Sequence, residues 1–267
     1  MWKLLSFISK NLVFFIPLSM IFGFILGAFF DLSFLKRFIL LFTFVMIYPM
    51  MINLKFKKVF EGGDVGVILT AQAINFLVIP FVAYGLGRLF FGENYYLTLG
   101  LLMAGLVPTS GMTISWTGFA KGNVEAAVKM TVIGLILGSL ATPFYVNFLM
   151  SAHIEVDVWY IFKQILFVIF LPMLAGYLTQ RYLVRKYGMQ RVNKEFSPRF
   201  SGISTLGVLG IVFIAMALKA KDILNQVSLI LYIFLPLLVL YGFNFFVATL
   251  IGKLFFKRGD AIALVYG

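Results

Sequence analysis

The chain contains no cysteine and a single histidine. Without a thiol these 267 residues can form no disulfide, no thiolate metal site and no cysteine nucleophile. Charge is scarce as well. Asp, Glu, Lys and Arg make up 12% of residues, about half the share expected of a soluble domain. There is no His-Glu-x-x-His zinc motif, no pair of intramembrane aspartates and no Gly-rich phosphate loop ending in Lys-Ser/Thr. These absences argue against an intramembrane protease and an ATP-driven pump, and the chain reads as no enzyme. The stretch Met1–Lys10 runs into a full-length apolar segment without a small-residue cleavage site, so no removable signal peptide is expected.

What the chain does have is apolar residues, at 62%, with a mean hydropathy of +1.02. That composition predicts an all-α polytopic membrane protein. Runs of about 20 apolar residues fall at Asn11–Phe30, Lys36–Asn53, Val65–Phe91, Tyr95–Ala120, Val124–Ser151, Val158–Leu183, Ser201–Leu218 and Val227–Phe256. A ninth begins at Asp260–Gly267. The net charge of +12 is read as marking cytoplasmic loops, not a nucleic-acid surface. With the N-terminus in the cytoplasm, sixteen of the 22 Lys and Arg residues fall on the inner side, Lys129 counted among them. A multi-pass protein of the plasma (cell inner) membrane is expected, with membrane lipid as its surroundings. His153 falls in an outer loop beside Glu155 and Asp157 and reads as a solvated residue.

The sequence nearly repeats itself. Gly87-Arg88-Leu89-Phe90-Phe91 recurs as Gly252-Lys253-Leu254-Phe255-Phe256, and Asn53-Leu54-Lys55-Phe56-Lys57 has a looser echo at Ala217-Leu218-Lys219-Ala220-Lys221. Five crossings per half make the two halves run in opposite directions, the inverted repeat of secondary transporters. The first repeat is residues 1–151 (spans 1–5). The second, 152–267, holds spans 6–8 and the start of 9. Set against a 5+5 plan, the chain reads as a C-terminal truncation lacking about 50 residues.

Span 4 is interrupted by Pro108-Thr109-Ser110-Gly111. Proline removes a backbone donor and glycine loosens the next turn. Such a break survives in a membrane only against protein or a wet cavity. A broken crossover helix offers free N–H groups for an anion and free carbonyls for a cation. Thr109, Ser110, Thr113, Ser115 and Thr117 cluster there. Thr109 and Thr113 are four apart and Trp116 is three further on, so all three are expected on one helix face. A substrate or ion pathway is the reading, against hydroxyls that merely bond back to carbonyls. Gly122 ends one helix, Asn123 caps the next and Glu125 sits in its first turn. Thr131 lies two turns into span 5. Gln72 and Asn75 in span 3 and Asn244 in span 8 either bind or glue helices together. The remaining prolines read as kinks.

Tyr48-Pro49-Met50-Met51, Asn75 to Pro80, Pro108-Thr109-Ser110-Gly111-Met112 with Trp116, and Ala120-Lys121-Gly122-Asn123 together resemble the bile acid:sodium symporter superfamily, and within it the arsenical-resistance (arsenite permease) branch. The resemblance covers essentially the whole chain, and Pro108 to Asn123 is its specific part. It implies ten helices. A panel domain would comprise residues 11–53 plus 158–218, and a core domain 65–151 plus 227–267, with spans 4 and 9 broken and crossing. Members move organic anions with sodium or extrude arsenite. A cysteine thought to matter in the arsenite branch aligns with Thr109, and an asparagine of the symporter branch with Ile114. Sodium-ligand positions align with Thr113 and Thr131, while the acidic ligand of span 9 lies beyond Gly267.

The expected function is secondary active transport of a small anion or organic acid by alternating access. Na+ or H+ is the coupling ion, and no cofactor or metal is bound. Arsenite or antimonite efflux is the alternative, and a non-transporting membrane sensor with the same fold is the alternative of another class.

Overall fold

The structure, a computed structural model, describes residues 2–53, 63–107, 109, 111–151 and 157–267. Pro108, Ser110, His153 and Glu155 lie outside the described residues, as does the side chain of Ser115. Among the described residues every regular element is a helix. In order they are α1 (Trp2–Lys10), α2 (Leu12–Phe29), a 3-10 turn (Ser33–Phe38) leading into α3 (Ile39–Asn53), α4 (Val65–Ala73) and α5 (Ile79–Phe91). Then come α6 (Tyr95–Gly105), α7 (Gly111–Phe119), α8 (Val124–Met150), α9 (Val158–Ile165), α10 (Leu171–Tyr187) and α11 (Met189–Arg191). The last are α12 (Ser197–Asn225), α13 (Val227–Phe255) and α14 (Arg258–Tyr266). Among the described residues seven continuous helical runs are long and apolar enough to cross a membrane: Leu12–Phe29, Ser33–Asn53, Val65–Phe91, Val124–Met150, Phe162–Tyr187, Met189–Asn225 and Val227–Phe255. The fourth sequence segment is two shorter helices, α6 and α7.

Two compact units divide the chain: Met1–Leu54 with Gln164–Ile230, and Lys55–Lys163 with Leu231–Gly267. In the first, α12 is the hub against which α1, α2 and α3 pack. The contact depends on small residues, as expected where lipid removes any hydrophobic reason for helices to associate. Gly23 and Gly27, four apart on α2, let that helix rest on the backbone of Phe213 and Ala217. A Cβ at either position would clash with the backbone there. Hydroxyls add cross-links: Ser19 Oγ donates to Leu209 O (2.9 Å) and Ser204 Oγ to Met46 O (2.6 Å).

The second unit has its core among α4, α5, α6, α8, α13 and α14, where Val67, Ala71, Ala83, Leu101, Met130, Leu240 and Leu264 are buried together. The two glycines of the sequence echo have comparable surroundings. A Cβ on Gly87 would meet Thr98 Cγ2 at 2.7 Å, and one on Gly252 would meet Ala261 Cβ at 3.2 Å. Each thus lets the next helix fold back closely on the last turn of the one before.

Between α4 and α5 the helix widens into a π turn over Ile74–Val78, with Ile79 N–H bonding to Ile74 O. Pro80 explains it: proline has no N–H and its ring crowds the carbonyl four residues back. That carbonyl, on Phe76, accepts the Tyr145 hydroxyl of α8. The same relation recurs twice. π turns at Leu166–Phe170 and Val192–Phe196 end two residues before Pro172 and Pro198.

The structure departs from the sequence expectations at several points. Lys219 lies inside α12 and is not a loop cation. Lys129, assigned to the inner side as a marker of orientation, is buried in α8. Trp2–Lys10 leads into the apolar run of α2 as expected, and forms a helix of its own, α1, packed on α12.

Candidate functional site

The break in span 4 is bounded on both sides. α6 starts at an Asn94 cap that accepts from Leu97 N and ends at Gly105. Leu106 still closes a turn on Leu102, Val107 is outside any helix, and α7 resumes at Gly111. Thr109 sits inside this interruption and is buried. Its hydroxyl lies 3.1 Å from that of Thr113, in the first turn of α7. Thr117, a further turn along, is fully buried. Thr113 and Thr117 are four apart and so mark one inward stripe of α7.

Trp116 is not on that stripe. It is 39% exposed and stacks edge-on to Phe119. The spacing from Thr109 to Trp116 brings both to one face only if the helix is continuous, and the break removes that register.

Opposite the hydroxyls stands Gln72 of α4. Its side chain and the Thr109 methyl both lie over Gly134 of α8. A Cβ there would lie 2.9 Å from Thr109 Cγ2 and 3.6 Å from Gln72 Oε1. Glycine at 134 is therefore a notch that admits both groups. Gln72 Nε2 reaches Met130 O only at 3.4 Å, a long bond. Gln72 Oε1 and Thr117 Oγ1 are buried without a hydrogen-bond partner among the described residues. Leaving such an atom unpaired costs about 1–3 kcal/mol. These two lie on and beside the broken helix, and Asn53 Oδ1 and Thr249 Oγ1 are unpaired elsewhere among the described residues.

The other singled-out residues are less open. Thr131 is buried and donates to Ala127 O (2.7 Å) within its own helix. Asn75, one turn from Gln72, donates to Gly267 O (3.1 Å). Asn244 is half-buried on α13.

A charged junction beside the site escaped the sequence reading. Lys129 is 1% exposed. Its Nζ lies 3.1 Å from Asp64 Oδ2 and 3.3 Å from Glu125 Oε1. Asn123 joins this pair to a third helix: its Nδ2 donates to Asp64 Oδ1 (2.9 Å) and to Asp260 Oδ1 (2.7 Å), while its Oδ1 caps α8 by accepting from Ala126 N (3.0 Å). The starts of α4, α8 and α14 meet here, so each carboxylate also sits near the positive end of a helix. The signal available in the sequence was the Glu125–Lys129 spacing of four inside an apolar helix. Asp64 and Asp260 are too distant in sequence to be inferred.

The left-handed residue that ends the α7 turn is Lys121, at φ +57°, not Gly122. Gly122 is small for another reason: a Cβ there would lie 2.9 Å from both Thr117 Cγ2 and Ile262 Cβ. Among the described residues no group of three or more His, Cys, Asp or Glu side chains is arranged to hold a metal ion.

The surroundings of the break match known proteins. An arsenical-resistance protein Acr3 from Alkaliphilus metalliredigens is 28% identical over 218 residues, covering 76% of this chain and 60% of that protein. An Acr3 from Corynebacterium glutamicum is 24% identical over 274 residues, covering 94% and 73%. The uncharacterized sodium-dependent transporter YocS of Bacillus subtilis is 23% identical over 205 residues, covering 75% and 60%. The chain thus spans 60% of the length of the first of these relatives. The family model described as Sodium Bile acid symporter family matches residues 39–226, a stretch from α3 to the last residues before α13 that takes in the whole broken span. With seven apolar runs of spanning length and this match, the chain is an integral multi-pass membrane protein and belongs to the Sodium Bile acid symporter family.

Proposed function

We propose that the chain is the substrate-carrying part of a secondary active transporter that works by alternating access. The observation that carries this reading is the interrupted helix with the Thr109–Thr113 hydroxyl pair facing the unpaired Gln72 Oε1 across Gly134. A static scaffold gains nothing from an unsatisfied oxygen beside a helix break. A carrier that binds and releases a ligand there does.

The ligand is a small anion or organic acid, coupled to Na+ or H+. Thr109 and Thr113 supply hydroxyl donors, Gln72 an acceptor, and the start of α7 backbone N–H groups suited to negative charge. Because Gln72 Oε1 can only accept, it favours a substrate that also carries an O–H. Thr131 and Asn75 are second candidates for ion coordination, and Ser110 and Ser115 belong to the same segment. The unit holding the break is the core, and the other is the panel, each built from parts of two inverted repeats. The N-terminus lies in the cytoplasm and the membrane is the cell's inner one.

A second reading, export of arsenite or antimonite, draws on the Acr3 relatives. A neutral hydroxylated metalloid acid suits hydroxyl and amide partners without a cysteine. A membrane sensor of the same fold would bind without accumulating its ligand. None of these three relatives is named as an enzyme.

The test is transport in vesicles. Thr109→Ala should lower substrate accumulation at least tenfold at unchanged expression. Unchanged transport would remove Thr109 from the site. Ligand binding without accumulation would favour the sensor. Protection of cells from arsenite would favour metalloid export.

A further inference from the structure

We propose that the basic cavity at the end of α10 holds the phosphate headgroup of an anionic membrane lipid, with an acyl chain laid along the exposed apolar face of α10. This goes beyond the transport reading and does not depend on what the chain carries.

The stretch from Arg181 to Arg199 contains six Lys and Arg residues, all exposed, and one carboxylate, Glu195. It lies where two apolar runs end and begin, Phe162–Tyr187 and Met189–Asn225. A cavity of about 510 Å3 opens there, lined by Tyr187, Met189, Arg191, Lys194 and Glu195 among others. Of its lining cations, Arg191 is held 5.6 Å over the Tyr187 ring, and Lys186, next to the cavity, has its Nζ 5.4 Å from the same ring. Glu195 engages Arg191 through Nε alone, at 3.1 and 3.2 Å, so the terminal guanidinium nitrogens are left for an incoming anion. Lys194 has no carboxylate partner among the described residues.

Phosphate chemistry is dictated by the charge, and a lipid source by the position. Leu171, Leu174, Leu178 and Tyr182 are all exposed and recur at three- and four-residue spacing. They form one apolar face of α10 that runs down to Lys186, whose Nζ lies 3.4 Å from the Tyr182 hydroxyl. Tyrosines and basic residues together at the end of a span are the pattern of a headgroup boundary. Basic pockets at that depth suit anionic lipid phosphates. A soluble phosphate would use the cations without needing the apolar track.

The experiment is native mass spectrometry of the delipidated chain, titrated with dioleoyl phosphatidylglycerol or dioleoyl phosphatidylcholine. Phosphatidylglycerol should be retained in preference. Arg191→Gln with Lys194→Gln should weaken it about 25-fold, about fivefold for each charge removed. The charge-keeping pair Arg191→Lys with Lys194→Arg should retain it. Lys219→Gln with Lys221→Gln, at the far end of α12, should leave it unchanged. Equal binding of the two lipids, or equal loss in both neutralised pairs, overturns the proposal. So does full displacement by inorganic phosphate alone, which would mean a soluble-anion site. Size-exclusion elution checks that each variant stays folded.

Discussion

Replacing Asp64 by Asn should destabilise this protein far more than replacing Asp222 by Asn, although the Asp222 ion pair is the shorter. The Lys219–Asp222 distance is 2.9 Å and the Lys129–Asp64 distance 3.1 Å. Burial separates them. Lys219 and Asp222 are 71% and 65% exposed, so water already solvates both charges and the pair contributes about 0–1 kcal/mol. Lys129 is 1% exposed. Losing one partner of a buried pair costs about 3–5 kcal/mol, because the other charge is left without compensation. The lower end of that range applies: Glu125 remains 3.3 Å away, and Asp64 is itself 21% exposed. About 3 kcal/mol is therefore expected for Asp64→Asn. Asn is the right probe because Asp64 has φ +59°, a conformation Asn also tolerates. Its amide oxygen can still accept from Asn123, so the change isolates the charge. The assay is thermal unfolding in detergent, followed by size-exclusion retention. Adding Lys129→Met to Asp64→Asn should recover much of the loss, since no uncompensated buried ammonium remains. Equal melting shifts for Asp64→Asn and Asp222→Asn, or a double variant worse than the single, would refute the reasoning.

Other outcomes are equally checkable. Gly134→Val should displace Thr109, whose Cγ2 would lie 2.9 Å from even the first added carbon, and should abolish transport while helix content by circular dichroism is kept. Tyr145→Phe removes the hydroxyl that α8 donates to Phe76 O and should cost about 1–2 kcal/mol in detergent unfolding. Asp31, in the turn before α3, has its carboxyl held below the ordinary carboxylate range by the Ser33 hydroxyl and amide. A lowered folded value means this contact is present above the unfolded pKa and fades as pH falls through the folded one. Ser33→Ala should therefore move the Asp31 carbon-13 carboxyl titration upward, and an unmoved midpoint would show that the hydroxyl is not the cause.

The all-helical plan and the interruption of span 4 were legible because both are local. Apolar run length sets the spans, and Pro108 with Gly111 forbids a continuous ladder. What the sequence concealed is long-range or directional. Lys129 reads as a loop cation until Asp64 and Asp260, distant in the chain, are brought to the same corner. Trp116 reads as a companion of Thr109 until the break uncouples their directions. Gly122 ends the helix as expected, its N–H bonding back to Thr117 O, but the left-handed conformation falls on Lys121 and the missing side chain at 122 makes room for Ile262. That Gln72 keeps an unpaired oxygen is a property of its neighbours on α8, which no residue spacing encodes.

The π turn before Pro80 bears on how this chain compares with others through time. A π turn holds one residue more than the α-helix requires. Deleting a single residue between Ile74 and Val78 would let the span revert to α geometry without losing its length across the bilayer. In the π turn the fifth residue on stands where the fourth would in an α-helix, so the halves upstream and downstream would keep their mutual orientation. Gln72 would still face Gly134. A one-residue gap at this point in a relative's sequence would therefore leave the break facing the same side chain, whereas the same gap elsewhere in the span would turn the two halves by about 100°.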